Sequence, residues 1–169
     1  MVRASMTHLT PRYSSERMMQ EYVEKFYRPA ARAFRRRSAE GGRLADTLAE
    51  WQERLDEGWK DLRLSGMSLA REGEMWSFSV EAYLGELRLD DVRVELYADP
   101  LPEKEPGTEG RPERIVMERL GPLAGAVNGF VFGAKVAAAR AAEDYTPRIV
   151  PYHAEAFVPM EEGHILWMR

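Results

Sequence analysis

The sequence predicts an α+β protein in which an N-terminal pair of helices is followed by an antiparallel, immunoglobulin-like β-sandwich. Two observations predict this fold class. Apolar residues recur at helical spacing within the first 60 residues, and after Lys60 they recur at every second position. The change of period divides the chain into a helical segment at 1–60 and a β-domain at 61–169.

The first helix is predicted from about residue 15 to residue 38. Ser14 or Ser15 can accept a backbone N–H as the N-cap, and Glu16 places negative charge in the first turn, where the helix dipole favours it. One broad apolar face follows at helical spacing: Met18, Met19, Tyr22, Val23, Phe26 and Ala30. Because Pro29 has no N–H, the helix either kinks there or ends near Arg28 and restarts with Pro29; the kink is the favoured alternative.

A second helix is predicted at about 43–60, after the Gly41-Gly42 break. It carries a single apolar stripe, made of Leu44, Leu48, Trp51, Leu55 and Trp59. Antiparallel packing of this stripe against the first helix is the expected use of both faces.

The remainder of the chain alternates apolar and polar residues, as half-buried antiparallel strands do. Seven short strands bounded by turn signals predict the sandwich. They are expected at 62–64, 76–84, 92–97, 113–120, 129–136, 145–150 and 164–168. The Pro- and Gly-rich stretch at 99–112 predicts an exposed mobile loop. Pro147 cannot donate to a ladder, which predicts an edge position or a bulge for its strand.

Composition excludes several classes of protein. The formal net charge of −4 argues against nucleic-acid binding, which is usually accompanied by a basic excess. The absence of cysteine excludes disulfides, thiolate zinc sites and cysteine nucleophiles. No apolar run approaches the roughly 18 residues of a membrane span, and no signal peptide is recognised. The expected location is the cytoplasm, without a membrane partner.

Two parts of the chain carry motifs of a known family. One is Arg12-Tyr13-Ser14-Ser15-Glu16-Arg17 followed by Glu21-Tyr22. The other comprises Asp144-Tyr145-Thr146, Arg148-Ile149, Pro151, His153 and Ile165-Leu166-Trp167, with Val80–Leu84 and Asp91–Tyr97 fitting the same region. These motifs resemble the C-terminal region of bacterial α-glucan (glycogen or maltodextrin) phosphorylases. There, the first motif follows the cofactor-binding region and the second closes an accessory β-domain.

The resemblance implies an enzyme that transfers glucosyl units from an α-1,4-glucan to phosphate with pyridoxal phosphate as cofactor. It places no catalytic or cofactor residue on this chain. The family's cofactor lysine lies in a Gly-Thr-rich motif upstream of the matching segment, and no lysine here lies in such a motif: Lys25, Lys60, Lys104 and Lys135. The chain is therefore expected to be a non-catalytic, inactive part of such an enzyme, as a fragment, a split-gene product or a mis-started reading frame.

A search of the residues themselves also predicts no catalytic, cofactor-binding or metal site. The three histidines lie far apart in the sequence, without metal-ligand spacing. Gly121, Gly125 and Gly129 lack the lysine of a P-loop. Ser14 and Ser15 have no neighbouring base and are better explained as helix caps than as nucleophiles.

Two further interpretations concern partners. The β-domain could bind α-glucan through a stacking surface made of Trp76, Tyr83 or Tyr97. Alternatively, the chain could be an interaction domain that docks on a separate phosphorylase subunit. The apolar face of residues 15–34 is broader than the single stripe of the second helix can cover, and each buried side chain contributes about 1.5–3 kcal/mol. Self-association, or docking on a phosphorylase catalytic body, is therefore predicted through residues 15–34.

Overall fold

The computed structural model describes residues 14–101 and 110–169. The Arg12-Tyr13 part of the first motif, Lys104 and most of the predicted loop lie outside the described residues. The chain divides into two compact units between Ala49 and Glu50, whereas the sequence predicts a boundary after residue 60. None of the helices among the described residues has the length and apolar character needed to cross a membrane.

The described part of the N-terminal unit starts with helix α1 (Ser15–Tyr22), a π-helical segment (Val23–Tyr27) and α2 (Arg28–Ser38). The Oγ of Ser14 accepts a hydrogen bond from the N–H of Arg17 at 3.2 Å, which confirms the predicted N-cap. Tyr27 and Arg28 keep helical dihedral angles, so the alternative in which the helix ends near Arg28 is wrong. The N–H of Arg28 bonds to the carbonyl of Val23, and this π-turn immediately precedes Pro29, which has no N–H for an α-helical bond.

The apolar face of the first helical run is exposed. No residue of α1, the π-helical segment or α2 is buried, and Met19, Phe26 and Phe34 are 58%, 54% and 71% exposed. Helix α3 (Arg43–Gly58) follows a turn in which Glu40 and Gly41 have positive φ. The part of α3 that belongs to this unit, 43–49, does not cover the apolar face of the first helical run. The antiparallel packing that the sequence predicts between the two helices is therefore not found within this unit.

In the second unit, the described residues form the rest of α3 and two antiparallel sheets of four strands each. The strands are β1 (Arg63–Glu72), β2 (Met75–Tyr83), β3 (Val92–Ala98), β4 (Glu113–Val116), β5 (Glu118–Pro122), β6 (Gly129–Ala137), β7 (Tyr145–Pro151) and β8 (Leu166–Trp167). The first sheet has the order β1-β2-β6-β5 and the second the order β4-β3-β7-β8. The α+β prediction is confirmed at this level.

The core of this unit follows the predicted alternation. Phe78, Val80 and Ala82 of β2 are buried, as are Val94 and Leu96 of β3. The ring of Phe78 contacts that of Tyr145 on β7, 5.6 Å away in the other sheet. From α3, Trp51 and Leu55 are fully buried, and the indole N–H of Trp51 donates to the carbonyl of Asp91 at 3.3 Å.

The predicted strand at 113–120 is wrong as a single element. It is two strands in different sheets: β4 pairs with β3, and β5 pairs with β6. Met117, between them, is buried and donates its N–H to the carbonyl of Val94 at 2.8 Å. The chain changes sheets at this residue, which period-two spacing cannot reveal because both strands alternate in the same way.

The prediction for Pro147 is also wrong. It lies in β7, which is hydrogen-bonded on both sides, and its pairing with Leu96 is in regular register. The carbonyl of Pro147 accepts from the N–H of Met168 at 2.9 Å, on the β8 side. The N and C=O of one residue point to the same side of an antiparallel strand, so the missing N–H also faces β8, just past its last residue. The proline thus removes a bond only where that ladder ends.

Candidate functional site

The outer face of the second sheet concentrates charged and aromatic side chains. On β3, Val92, Val94, Leu96 and Ala98 are buried in the core, so the alternate residues point to the other face. Strand register then places the cross-strand neighbours of these residues on the same face. We call this surface the arginine face; it comprises Arg93, Glu95, Tyr97, Arg114, Arg148 and Trp167.

A buried ion pair lies at the centre of the arginine face. Arg148 lies opposite Glu95 and donates to its Oε2 from Nε at 3.1 Å and from Nη2 at 2.8 Å. Both side chains are about nine-tenths buried. The guanidinium also lies over the rings of Tyr97 and Trp167, at 4.4 Å and 5.1 Å from their centroids. Because these groups enclose the guanidinium, Arg148 is fixed in position.

A pocket of about 140 Å³ opens beside this ion pair. Arg93 and Arg114 line it together with Arg148, and the C-terminal segment contributes His164. The guanidinium of Arg93 stacks on the ring of Tyr152, with its central carbon 3.3 Å from the ring centroid. The pocket therefore combines three guanidinium groups with a single carboxylate, that of Glu95.

The aromatic residues predicted for a glucan surface do not come together. Trp76 and Tyr83 lie on β2 at positions of opposite parity, so they belong to opposite faces of the first sheet. The indole N–H of Trp76 donates to the carbonyl of Arg140 at 3.0 Å. Tyr97 is in the second sheet, where its ring meets that of Trp167 at 5.3 Å. Of the three, Tyr97 alone belongs to the arginine face.

A second cluster joins α3 to the C-terminal segment. Asp56, Glu162 and His164 each place one oxygen or nitrogen within 4.8 Å of the others. The Nδ1 of His164 lies 2.5 Å from Oε1 of Glu162, and the backbone N–H of His164 donates to the same oxygen at 3.2 Å. The ring of Trp59 packs on that of His164. Spacing along the chain could not indicate this cluster, because Asp56 is far from Glu162 and His164 in the sequence.

A tyrosine with an altered pKa lies at the start of β7. Burial, followed by a hydrogen bond from its hydroxyl to Oε2 of Glu113 at 2.7 Å, raises the pKa of Tyr145 to about 12. The hydroxyl is therefore a proton donor to Glu113 at neutral pH and has a structural role between β7 and β4.

Residues that the sequence associated with other chemistry have structural partners. Lys135 is exposed on β6 and pairs with Glu72 at 2.6 Å, as expected for an outward side chain. The Nδ1 of His153 accepts the backbone N–H of Glu155 at 3.1 Å, and its ring packs on that of Trp51. The arginine face itself was missed, although the alternation in β3 already directed Arg93 and Glu95 away from the core.

Comparison with known proteins finds similarity to one kind of enzyme. The chain is 30% identical over 101 residues to glycogen phosphorylases of two strains of Mycobacterium tuberculosis and of Mycobacterium bovis. The match covers 56% of this chain but only 12% of each relative. No protein-family profile and no solved structure matches the chain. The chain thus contains a phosphorylase-related region that corresponds to a small part of those enzymes.

Proposed function

We propose that this chain is a non-catalytic C-terminal part of a cytoplasmic α-glucan phosphorylase. The observation that carries the proposal is the 30% identity over 101 residues to the mycobacterial glycogen phosphorylases. In the complete enzyme, a glucosyl unit would pass from an α-1,4-glucan to phosphate. Pyridoxal phosphate and the catalytic residues would lie in the part of the enzyme that this chain does not match.

The strand order supports an immunoglobulin-like sandwich for the β-domain. If the strands are lettered A, B, C, C′, D, E, F and G in chain order, the two sheets read A-B-E-D and C′-C-F-G. This is the order of immunoglobulin-type sandwiches. Those domains also carry a tyrosine near the start of strand F, and Tyr145 begins the corresponding strand here.

The exposed helical run supports docking on a catalytic body. Met19, Phe26 and Phe34 would lie in water in the chain alone, at a cost of about 1.5–3 kcal/mol for each side chain left unburied. The relatives extend well beyond the matched 12% of their length. We propose that such a body covers residues 15–34.

The second candidate function is a glucan-binding module that docks on a separate phosphorylase subunit. The pair of Tyr97 and Trp167 favours it, because Trp167 is 40% exposed and aromatic rings stack on sugars. The arginine face would then contact the glucan directly.

Co-purification tests the first candidate. The Mycobacterium tuberculosis relative, shortened by the segment that this chain matches, is co-expressed with the chain. We expect a complex that is lost in Met19→Glu/Phe26→Glu, since charge is then buried in the interface. The matched control Gln20→Glu/Ala31→Glu adds the same charge at two exposed positions outside the apolar face and should leave the complex intact.

Affinity electrophoresis in glycogen distinguishes the second candidate. Retardation of the chain by glycogen that Trp167→Ala abolishes would establish the binding module, and a chain that forms the complex but is not retarded leaves the first candidate alone. A chain that does neither would contradict both candidates.

A further inference from the structure

The pocket of the arginine face is positively charged in a protein that is negative as a whole. The complete chain has a formal net charge of −4. Three arginines and one glutamate line the pocket, which gives a local excess of two positive charges. A general affinity for anions is therefore not expected of the protein, and the excess belongs to this one place.

Among the residues that the structure describes, two of the three arginines have no acidic partner. Arg148 is held by Glu95 through two hydrogen bonds of 3.1 Å and 2.8 Å. Arg93 and Arg114 make no ion pair with any residue in 14–101 or 110–169. Surface arginines normally remain hydrated, but here both line one small pocket beside a third guanidinium. The mutual repulsion of these cations is relieved when an anion binds between them.

The orientation of Arg93 suits an oxyanion. Its guanidinium lies over the ring of Tyr152, with its central carbon 3.3 Å from the ring centroid. Stacking covers the faces of a guanidinium but leaves the N–H groups at its edge, and these donors match two oxygens of a phosphate. The stacked geometry also lowers the entropy that Arg93 loses when it binds a ligand.

The size of the pocket limits what can bind. A volume of about 140 Å³ is below the 300–1,000 Å³ typical of sites for larger organic ligands. One tetrahedral oxyanion fits this space, and a glucan chain does not. A phosphate dianion also matches the excess of two positive charges better than a carboxylate does.

We propose that the pocket between Arg93, Arg114 and Arg148 binds a phosphate-type oxyanion, either inorganic phosphate or the phosphate group of a sugar phosphate. Arg93 and Arg114 supply the charged donors. Arg148, fixed by Glu95 and the two aromatic rings, forms the positively charged wall. This inference does not depend on the proposed function, because it is argued only from the charges, contacts and size of the pocket.

The test is a titration of the full chain with inorganic phosphate at low ionic strength. Binding is monitored by calorimetry and by the arginine Nε–H signals in nuclear magnetic resonance spectra. Saturable binding that shifts the signals of Arg93 and Arg114 is expected. Arg93→Gln and Arg114→Gln should each weaken binding at least about tenfold, because each removes a charged donor. Arg93→Lys should weaken it less, because the charge remains but the fork of donors is lost.

Arg119→Gln is the matched control. Arg119 is an exposed arginine that lies over the ring of Phe130, but in the first sheet, outside the pocket. It should bind phosphate like the wild type. Circular dichroism of each variant establishes that the sheets are folded, and the wild-type signal shifts identify the site without any substitution.

Glucose 1-phosphate, as a second titrant, identifies the source of the phosphate group. Glucose 1-phosphate that binds about tenfold more tightly than phosphate indicates a sugar phosphate, and equal affinities indicate the phosphate group alone. The proposal is overturned if about 20 mM phosphate shifts neither arginine signal, or if Arg119→Gln loses as much affinity as the pocket variants. Acetate that binds as tightly as phosphate would also overturn it.

Discussion

The buried ion pair between Glu95 and Arg148 makes a sharp prediction about stability. Arg148→Met removes the guanidinium but keeps an unbranched apolar side chain of similar length at the same place. The carboxylate of Glu95, with a side chain only 12% exposed, is then left without its hydrogen-bond donors. We expect this single substitution to destabilise the β-domain strongly.

The magnitude follows from the environment of the pair. Removing one partner of a buried ion pair typically costs about 3–5 kcal/mol, because an uncompensated charge remains in the interior. The contacts of the guanidinium with Tyr97 and Trp167 contribute about 0.5–1 kcal/mol each. Replacing both charges, in Glu95→Leu/Arg148→Met, removes the cost of burying them, so the double variant should lie within about 1 kcal/mol of the wild type. The double variant should therefore be about 2–4 kcal/mol more stable than Arg148→Met alone.

Urea unfolding followed by tryptophan fluorescence measures these differences. All four tryptophans lie in the second unit, so their emission reports on the part of the chain that contains the pair. Arg119→Met, at an exposed arginine outside the pair, is the control and should change stability by less than about 0.5 kcal/mol. A loss below about 1 kcal/mol in Arg148→Met, or a double variant as unstable as the single one, would refute the reasoning.

The apolar face of residues 15–34 predicts association at tens of micromolar in sedimentation experiments, which Met19→Glu/Phe26→Glu should abolish; a monomeric wild type contradicts it. Burial, and then the hydrogen bond to Glu113, raises the pKa of Tyr145 to about 12 from an unfolded value of 10.0, so its stabilisation is complete below pH 10 and is lost as the pH rises towards 12. The absorbance titration of the wild type minus that of Tyr145→Phe should have its midpoint at about pH 12, and Glu113→Gln should lower this midpoint. A wild-type midpoint at pH 10 would contradict the raised pKa of Tyr145. The purified chain should show neither pyridoxal phosphate absorbance nor release of glucose 1-phosphate from maltodextrin, and either signal would overturn the non-catalytic assignment.

Local chemistry made several elements predictable. The cap by Ser14 needs only a side-chain oxygen three residues before a free N–H, and both lie in one short stretch of sequence. The alternation in β2 and β3 is equally local, because successive residues of a strand point to opposite faces. These elements follow from spacing along the chain, without any knowledge of the neighbouring strands.

Sheet membership could not be predicted in the same way. The stretch from Glu113 to Pro122 alternates throughout, but its two halves pair with strands of different sheets on either side of Met117. Pro147 was placed at an edge because its missing N–H must lie outside a ladder. Its actual place, in an inner strand whose neighbour β8 is only two residues long, depends on where the chain returns after residue 160. Pairings over such distances are not encoded in local periodicity.

The arginine face shows why composition and motifs failed to reveal a candidate site. A net charge of −4 excluded a broad basic surface but contained no information on a pocket formed by three arginines. Arg93, Arg114 and Arg148 belong to three different strands, and each one alone is an ordinary outward residue of an alternating segment. Their proximity follows from the register of β3 with β4 and β7, and from the burial of Glu95 beside Arg148, which leaves the other two arginines without a partner among the described residues. Because register decides which charges meet, a shift of β4 by a single residue would turn Arg114 to the other side of the sheet and leave only Arg93 and the paired Arg148 at the pocket.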